Sequence, residues 1–388
     1  MAYDRPASAV QVVPVASAAE LERFIRVPMR LGAGDPNYIA PLLAERREAL
    51  SAKGNPFFAH ADVQFWLAVK DGRDVGRISA QIDHLNPQTR EGYGNFGLIA
   101  AEDDAEVFAA LFAAAEAWLR ERGCRAALGP INLSTNEEVG LLVEGHDTPP
   151  MFMMGHDAPW TGSRIEGQGY AKARDLYAYA CDVSHDLPPS ILRRVRKAPP
   201  EGVVLRKLDM KRFGEEVRTL TEILNDAWSG NWGFTPTTEA ETKQLANALK
   251  LVLDPDLTWF AEIDGEAAGF MVLLPNVNEA IADLRGRLAP FGWAKLLWRL
   301  KVRRVKTGRV PLMGVKRRFA GAHRGQLLPF QLIDAVVQEA RRKGYQRYEL
   351  SWVLEDNLPM RRICEAGGAR IYKTYRLYEK ALDDKGLA

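Results

Sequence analysis

Gly321-Ala-His-Arg-Gly-Gln-Leu-Leu-Pro-Phe-Gln-Leu-Ile-Asp-Ala-Val336 joins an apolar strand, Val310–Phe319, to a helix over Pro329–Lys343 that Gly344 stops. The first N–H groups of a helix have no partner inside it and stand at the positive end of its dipole, so this junction suits a phosphate. Downstream, Tyr345–Val353 reads as a strand, Pro359–Ala366 as a short helix and Ala369–Tyr378 as a closing strand. Upstream, Val203–Asp209 is a strand and Lys211–Trp228 a helix, and Thr258–Ile263 with Ala267–Pro275 forms a hairpin around Asp264-Gly265.

The first half repeats that order. Val10–Val15 is a strand, and Ala18–Leu31 a helix with Leu21, Phe24, Ile25 and Val27 on one side. Gln64–Val69 and Val75–His84 flank the turn Lys70-Asp71-Gly72-Arg73. Tyr93–Ile99 is a strand, Asp103–Arg122 a helix ended by Gly123, and Cys124–Leu128 a buried strand ending at Gly129-Pro130. A short helix near Gly162–Gly167 leads into the long strand Tyr170–Val183. Ser184–Gly202 carries Pro188, Pro189, Pro199 and Pro200 among basic residues and reads as a linker. The expected fold is α/β with a mixed sheet, in two tandem domains (1–183 and 203–388) joined by the Pro-rich linker 184–202.

Length and composition agree. The 388 residues exceed one ordinary core, and 47% hydrophobic with 26% charged residues excludes a largely disordered chain. No apolar run approaches the 18 to 20 or so residues of a membrane span, and the first residues do not read as a secretory signal. Cys124, Cys181 and Cys364 are far apart and have no metal spacing, which points to a reducing cytoplasm and no metal. The net charge of +2 argues against nucleic acid as a partner.

The C-terminal half resembles the GNAT acyltransferases. Residues 321–336 resemble the family's pyrophosphate segment, and Glu349-Leu-Ser-Trp-Val-Leu-Glu-Asp-Asn357 with Arg362-Ile-Cys-Glu-Ala-Gly-Gly368 its fifth strand and the stretch beyond. Where the family carries Arg-Gly-x-Gly-x-Gly/Ala, this chain has Arg324-Gly325-Gln326-Leu327-Leu328-Pro329, and Cys364 stands at the usual tyrosine acid. In the N-terminal half, Ala100-Ala-Glu-Asp-Asp104 takes the phosphate position, and its three acids would repel a diphosphate. A wider resemblance rests on Gly129-Pro-Ile-Asn-Leu-Ser-Thr-Asn136, Gly140-Leu-Leu-Val-Glu-Gly145, Pro149-Pro-Met-Phe-Met-Met154, Asp175-Leu-Tyr-Ala-Tyr179 and Asn225-Asp-Ala-Trp-Ser-Gly-Asn-Trp-Gly-Phe234. These are similar to bacterial tandem GNAT-like acyltransferases, some of which occur with sphingolipid synthesis enzymes.

The resemblance implies an N-acyltransferase that moves a long-chain acyl group from acyl-CoA to the amine of a sphingoid base. Acyl-CoA would be a co-substrate, with no tightly bound cofactor. The C-terminal half would bind the donor through His323, Arg324, Gly325, Gln326, Leu327, Leu328 and Asn357. The N-terminal half would be a degenerate, acceptor-side copy. Other acceptors, an amino acid or a peptide, and a catalytically inactive lipid-binding protein are the alternatives.

The residues themselves leave choices open. Asn132, Ser134 and Asn136 stand at a strand's carboxyl end, where open α/β sheets place ligands; they hold a substrate amine or hydroxyl, or they form a turn and cap. Trp228, Asn231 and Trp232 wall an apolar chain, or fill a core corner. Gly145-His146-Asp147 and Gly155-His156-Asp157 each set a His beside an Asp, and His156 is a candidate base. Glu137 and Glu349 are candidate carboxylate bases whose pKa burial would raise. Cys364 reads as a buried thiol.

Arg285–Arg309 holds nine Lys or Arg and no acid. Within it, Trp293, Leu296, Leu297 and Leu300 keep helical spacing, with Lys295, Arg299 and Arg303 on another face. The expectation is a basic amphipathic insertion (285–309) that touches an anionic inner membrane face through residues 289–304. The alternatives are a helix packed on the protein with a solvated basic face, or a nucleic-acid patch.

Overall fold

The computed structural model describes residues 9–197 and 200–383. Residues 1–8 and 384–388 of the expected domains and Pro199 of the expected linker lie outside them. The chain forms two compact units, one reaching to Asp175 and resuming at Tyr375, the other spanning Leu176–Thr374.

In the first unit, β1 (Gln11–Pro14), β2 (Ala61–Lys70), β3 (Arg73–Asp83), β4 (Tyr93–Ala101) and β5 (Ala126–Gly129) lie side by side in that order. Neighbours are antiparallel except β4 and β5, which are parallel. The alternation of β2 sends Trp66 and Ala68 into one core and Phe65 and Leu67 into another. The first core receives Phe108, Leu111 and Phe112 of α2 (Ala105–Glu121), the second Phe24, Ile25 and Val27 of α1 (Ala18–Leu31). A capping box fixes the start of α1: the Ser17 hydroxyl accepts the Glu20 N–H, and the Glu20 carboxylate accepts the Ser17 N–H at 2.8 Å.

β6 (Ala171–Asp182) starts in the first unit and ends in the second. The second unit repeats the strand order with β7 (Val203–Lys207), β8 (Thr258–Ile263), β9 (Glu266–Pro275), β10 (Thr307–Val315) and β11 (Arg347–Leu354). Again only the last two, β10 and β11, are parallel. The helices that concern the site are α3 (Phe213–Trp228), α4 (Gly292–Trp298), α5 (Leu328–Arg342) and α6 (Leu358–Ala366). β12 (Arg370–Ala381) makes the opposite passage to β6, and its end pairs with β5 of the first unit from Tyr378↔Gly129 to Ala381↔Ala126. The far half of β6 pairs with β11 in the second unit.

The mixed α/β fold and its repeat therefore match the sequence reading, while some local features differ. β10 stops at Val315 rather than Phe319, because Arg317–Ala320 turns into helix. The Pro-rich stretch is more than a tether: Pro189–Val195 is helical with proline in its first turn, and Leu187 and Val195 are buried in the second unit's core.

Candidate active site

In the second unit, the parallel pairing of β10 with β11 runs only from Thr307↔Arg347 to Val310↔Leu350. β10 continues to Val315 and β11 to Leu354, so the two strands part within the sheet. Trp228, the last residue of α3, stands beside this opening: its indole N–H donates to the Met313 carbonyl at 3.2 Å. Asn231 and Phe234 follow in turns, the Asn231 N–H bonding to Trp228 O at 2.8 Å.

A buried polar network lies where the pairing ends. Arg309 and Glu349 are opposite each other across the ladder, 3% and 0% exposed. Arg309 Nε donates to Ser351 Oγ at 2.8 Å and stands 3.6 Å from Glu349 Oε1. Ser351 Oγ donates to Glu349 Oε1 at 2.5 Å, and the Tyr372 hydroxyl donates to Glu349 Oε2. The Arg309 guanidinium also lies over the Trp352 ring, 4.9 Å from its centroid. Burial pushes the Glu349 carboxyl above the usual range, against the pull of Arg309, Ser351, Tyr372 and Lys373. A raised pKa makes the ionised carboxylate a stronger base toward an ammonium or a tetrahedral adduct.

The segment before α5 folds on itself. The Ala322 N–H bonds to Phe319 O, the Gly325 and Gln326 N–H groups to Ala322 O, and Leu328 N–H to Gly325 O. A Cβ on Gly325 would come within 1.8 Å of Phe319 O, so the tight turn requires glycine. No side chain caps α5, and Pro329 offers no N–H. His323, Arg324 and Leu327 therefore keep their N–H groups without a protein acceptor among the described residues. The Arg324 side chain is exposed and bonds to Asp264 at 2.7 Å. Asn357 caps α6, its side chain accepting the Met360 N–H at 3.2 Å.

The first unit treats the equivalent opening differently. β4 and β5 pair from Tyr93↔Ala126 to Asn95↔Leu128, and the chain after β5 then fills the gap. Asn132 Oδ1 accepts the Leu98 N–H at 2.7 Å, and a Cβ on Gly97 would meet Ile131 O at 2.0 Å. The strand edge that stays open in one unit is closed in the other. At the phosphate position, Asp104 caps α2 and binds Lys70, while Glu102 pairs with Arg30.

Beyond that closure lies a cluster of ionisable groups. His156 Nε2 is 2.8 Å from Asp35 Oδ2, and His156 Nδ1 is buried without a partner among the described residues. Burial opposes ionisation of Asp35, but the Asn37 N–H and His156 hold its carboxyl below the usual range. Asp157 does not serve its neighbour His156; it accepts the Leu142 N–H at 2.9 Å, and burial pushes it up to about 7. Glu137 is also pushed to about 7 by burial, with Asn55 Nδ2 donating to it at 3.0 Å. Ser134 Oγ accepts the Asn136 N–H at 3.1 Å, and Asn132 Nδ2 reaches Glu138 at 3.2 Å. Asn132, Ser134 and Glu137 thus have structural bonds of their own.

Residues 217–367 match the model of the acetyltransferase (GNAT) family. The chain is 62% identical over 384 residues, 98% of its length and 100% of the relative's, to the bacterial ceramide synthase of Caulobacter vibrioides (strain NA1000 / CB15N). The chain belongs to the GNAT acyltransferases. Protein YghO of Escherichia coli (strain K12) is 47% identical over 94% of this chain and 93% of that one. Among solved structures, a tandem GNAT protein from the clavulanic acid biosynthesis pathway covers 97% of this chain and 100% of its own at a TM-score of 0.57 and 14% identity. A GCN5-related N-acetyltransferase from Sphaerobacter thermophilus covers 96% of both chains at a TM-score of 0.54 and 16% identity. The fold is thus the tandem GNAT fold, and the protein is an N-acyltransferase of a family that uses acyl-CoA.

Cys364 is the residue that the sequence resemblance sets at the family's tyrosine acid. Cys364 is buried in the second unit's core, and burial pushes its thiol up to about 12, so it stays a thiol rather than a reactive thiolate at neutral pH. Arg309, Ser351 and Tyr372 escaped the sequence reading. An arginine within Thr307–Val315, otherwise largely apolar, was the available signal, since a buried charge needs a buried partner. Asp35 gave none, because its partner His156 is 121 residues away. Among the described residues, no group of three or more His, Cys, Asp or Glu is placed to hold a metal ion.

Proposed function

We propose that this N-acyltransferase moves a long-chain acyl group from acyl-CoA to the amine of a sphingoid base. The observation that carries the reading is the 62% identity, over the whole length, to the relative named bacterial ceramide synthase. The open strand edge in the second unit supports it, because a thioester arm can lie there as an added strand with its carbonyl on free backbone N–H groups. The amine nitrogen attacks the thioester carbonyl, the C–N bond forms, the C–S bond breaks and the thiolate takes up a proton. In this reading Glu349 is the base. The segment His323–Leu328, with its free N–H groups, holds the diphosphate, and Trp228, Asn231 and Trp232 flank the acyl chain. Asn132, Ser134 and Asn136, with Glu137 and His156, are assigned to the acceptor. Asn357 acts through the α6 start. A cytoplasmic location with contact to an anionic membrane through residues 289–304 belongs to the same proposal.

Thiol release from palmitoyl-CoA by the purified protein, with and without a sphingoid base in mild detergent, tests it. Release that depends on the base, with an N-acyl product by mass, is expected. Folded protein that neither binds the donor nor releases thiol would overturn the proposal.

A further inference from the structure

We infer that the segment after β9 docks the enzyme on an anionic lipid bilayer by inserting an aromatic face, with cations only at its border. The inference rests on the proposed membrane contact, but it changes the face and the force responsible. α4 and the π-helical turn Arg299–Arg303 that follows it present three sides. Leu296 and Leu300 pack on the second unit's core. Lys295 and Arg299, expected to form a free basic face, are both held by Asp283, and Arg299 also donates to Ala280 O at 2.7 Å. These two cations keep the Asp283 carboxyl well below the usual range, and that carboxylate cancels one of their two charges and ties both side chains to the protein.

The third side is apolar and faces solvent. Trp293, Leu297 and Trp298 lie on it, Phe291 precedes it at 77% exposure, and Val302 follows at 67%. These are five of the twelve exposed large hydrophobic side chains among the described residues, gathered within twelve positions. Lys301, Arg303 and Arg304 are exposed beside them and have no carboxylate partner among the described residues. Indole rings favour the boundary between headgroups and acyl chains, and cations at that depth meet anionic phosphates. A second copy of the chain fits worse. A two-fold contact through this side would set each copy's Lys301, Arg303 and Arg304 near their counterparts, with no acid in 285–309 to relieve them.

The test uses the full chain and vesicles of phosphatidylcholine, with or without phosphatidylglycerol and with brominated acyl chains. The wild type should float with the anionic vesicles, and its tryptophan emission should be quenched by the bromines. Trp293→Ser/Trp298→Ser should lose at least tenfold in partitioning and lose the quenching, while its thermal melt and its thiol release with a detergent-dispersed acceptor stay at wild-type values. Vesicle binding that survives this double substitution would overturn the inference. So would binding without bromine quenching, or a wild-type dimer that the substitution dissolves in a protein that binds no vesicles. Binding is read without substrate, so failure of the acyl-acceptor assignment would appear only in the activity arm.

Discussion

At the residue scale, Glu349 is the base in the proposed reaction. Its carboxyl is fully buried and contacts one cation and two hydroxyls, and burial raises its pKa. Glu349→Gln keeps the shape and an acceptor for Ser351 or Tyr372 but cannot take a proton. We expect kcat to fall by about 10²- to 10⁴-fold with a nearly unchanged KM for the donor; a fall below tenfold would remove Glu349 as the base. In the first unit, Asp157 titrates near 7 when folded against 3.8 for the free side chain. A raised carboxylate pKa means the folded state binds the proton more tightly. Its stabilisation is complete below about pH 4 and is lost as pH climbs through 7. Glu137 adds to the same trend. The thermal midpoint should therefore decline between pH 5 and 8, and Asp157→Asn should flatten that slope.

At the scale of elements, the proposed donor side consists of the turn before α5 and the parting of β10 from β11. A methyl at Gly325 would collide with Phe319 O, whereas one at Gly321 meets nothing within 4 Å. Gly325→Ala should raise the KM for acyl-CoA about tenfold or more, and Gly321→Ala should leave it unchanged; equal effects would deny the turn its role. Elements of this kind were legible in the sequence. Periodicity gave α1 at its observed bounds, and α5 ended just before Gly344 as expected. The pyrophosphate resemblance drew attention to the turn before α5, whose tight backbone the structure describes. The parting of two strands is not legible, because it depends on where a ladder stops and not on any residue pattern. Nor was the fate of Lys295 and Arg299, since Asp283 lies outside the helix that carries them. Gly-His-Asp at 155–157 suggested a pair of neighbours, yet adjacent side chains point apart, and each found its partner elsewhere.

For the whole molecule, the passage of β6 and β12 from one unit to the other matters most. The element order suggested two halves in series, but compactness groups Tyr375 onward with the N-terminal unit. The last strand to pair with β5 thus comes from the end of the chain. A chain stopped after Thr374 should lose the cooperative melting of the first unit, because β5 would then be an unpaired edge with an exposed apolar core; retention of a native melt would argue against the exchange. The two copies of the fold differ at the opening where the proposed reading sets the donor: the gap beside β4 is plugged by Ile131–Asn132, and the gap beside β10 is open. Amide hydrogen exchange of the full chain, with and without palmitoyl-CoA, examines that difference most directly. Slowed exchange in residues 311–328, with no change in 96–104, is the expected result. Protection at 96–104, or none in 311–328 under conditions where the donor binds, would contradict it.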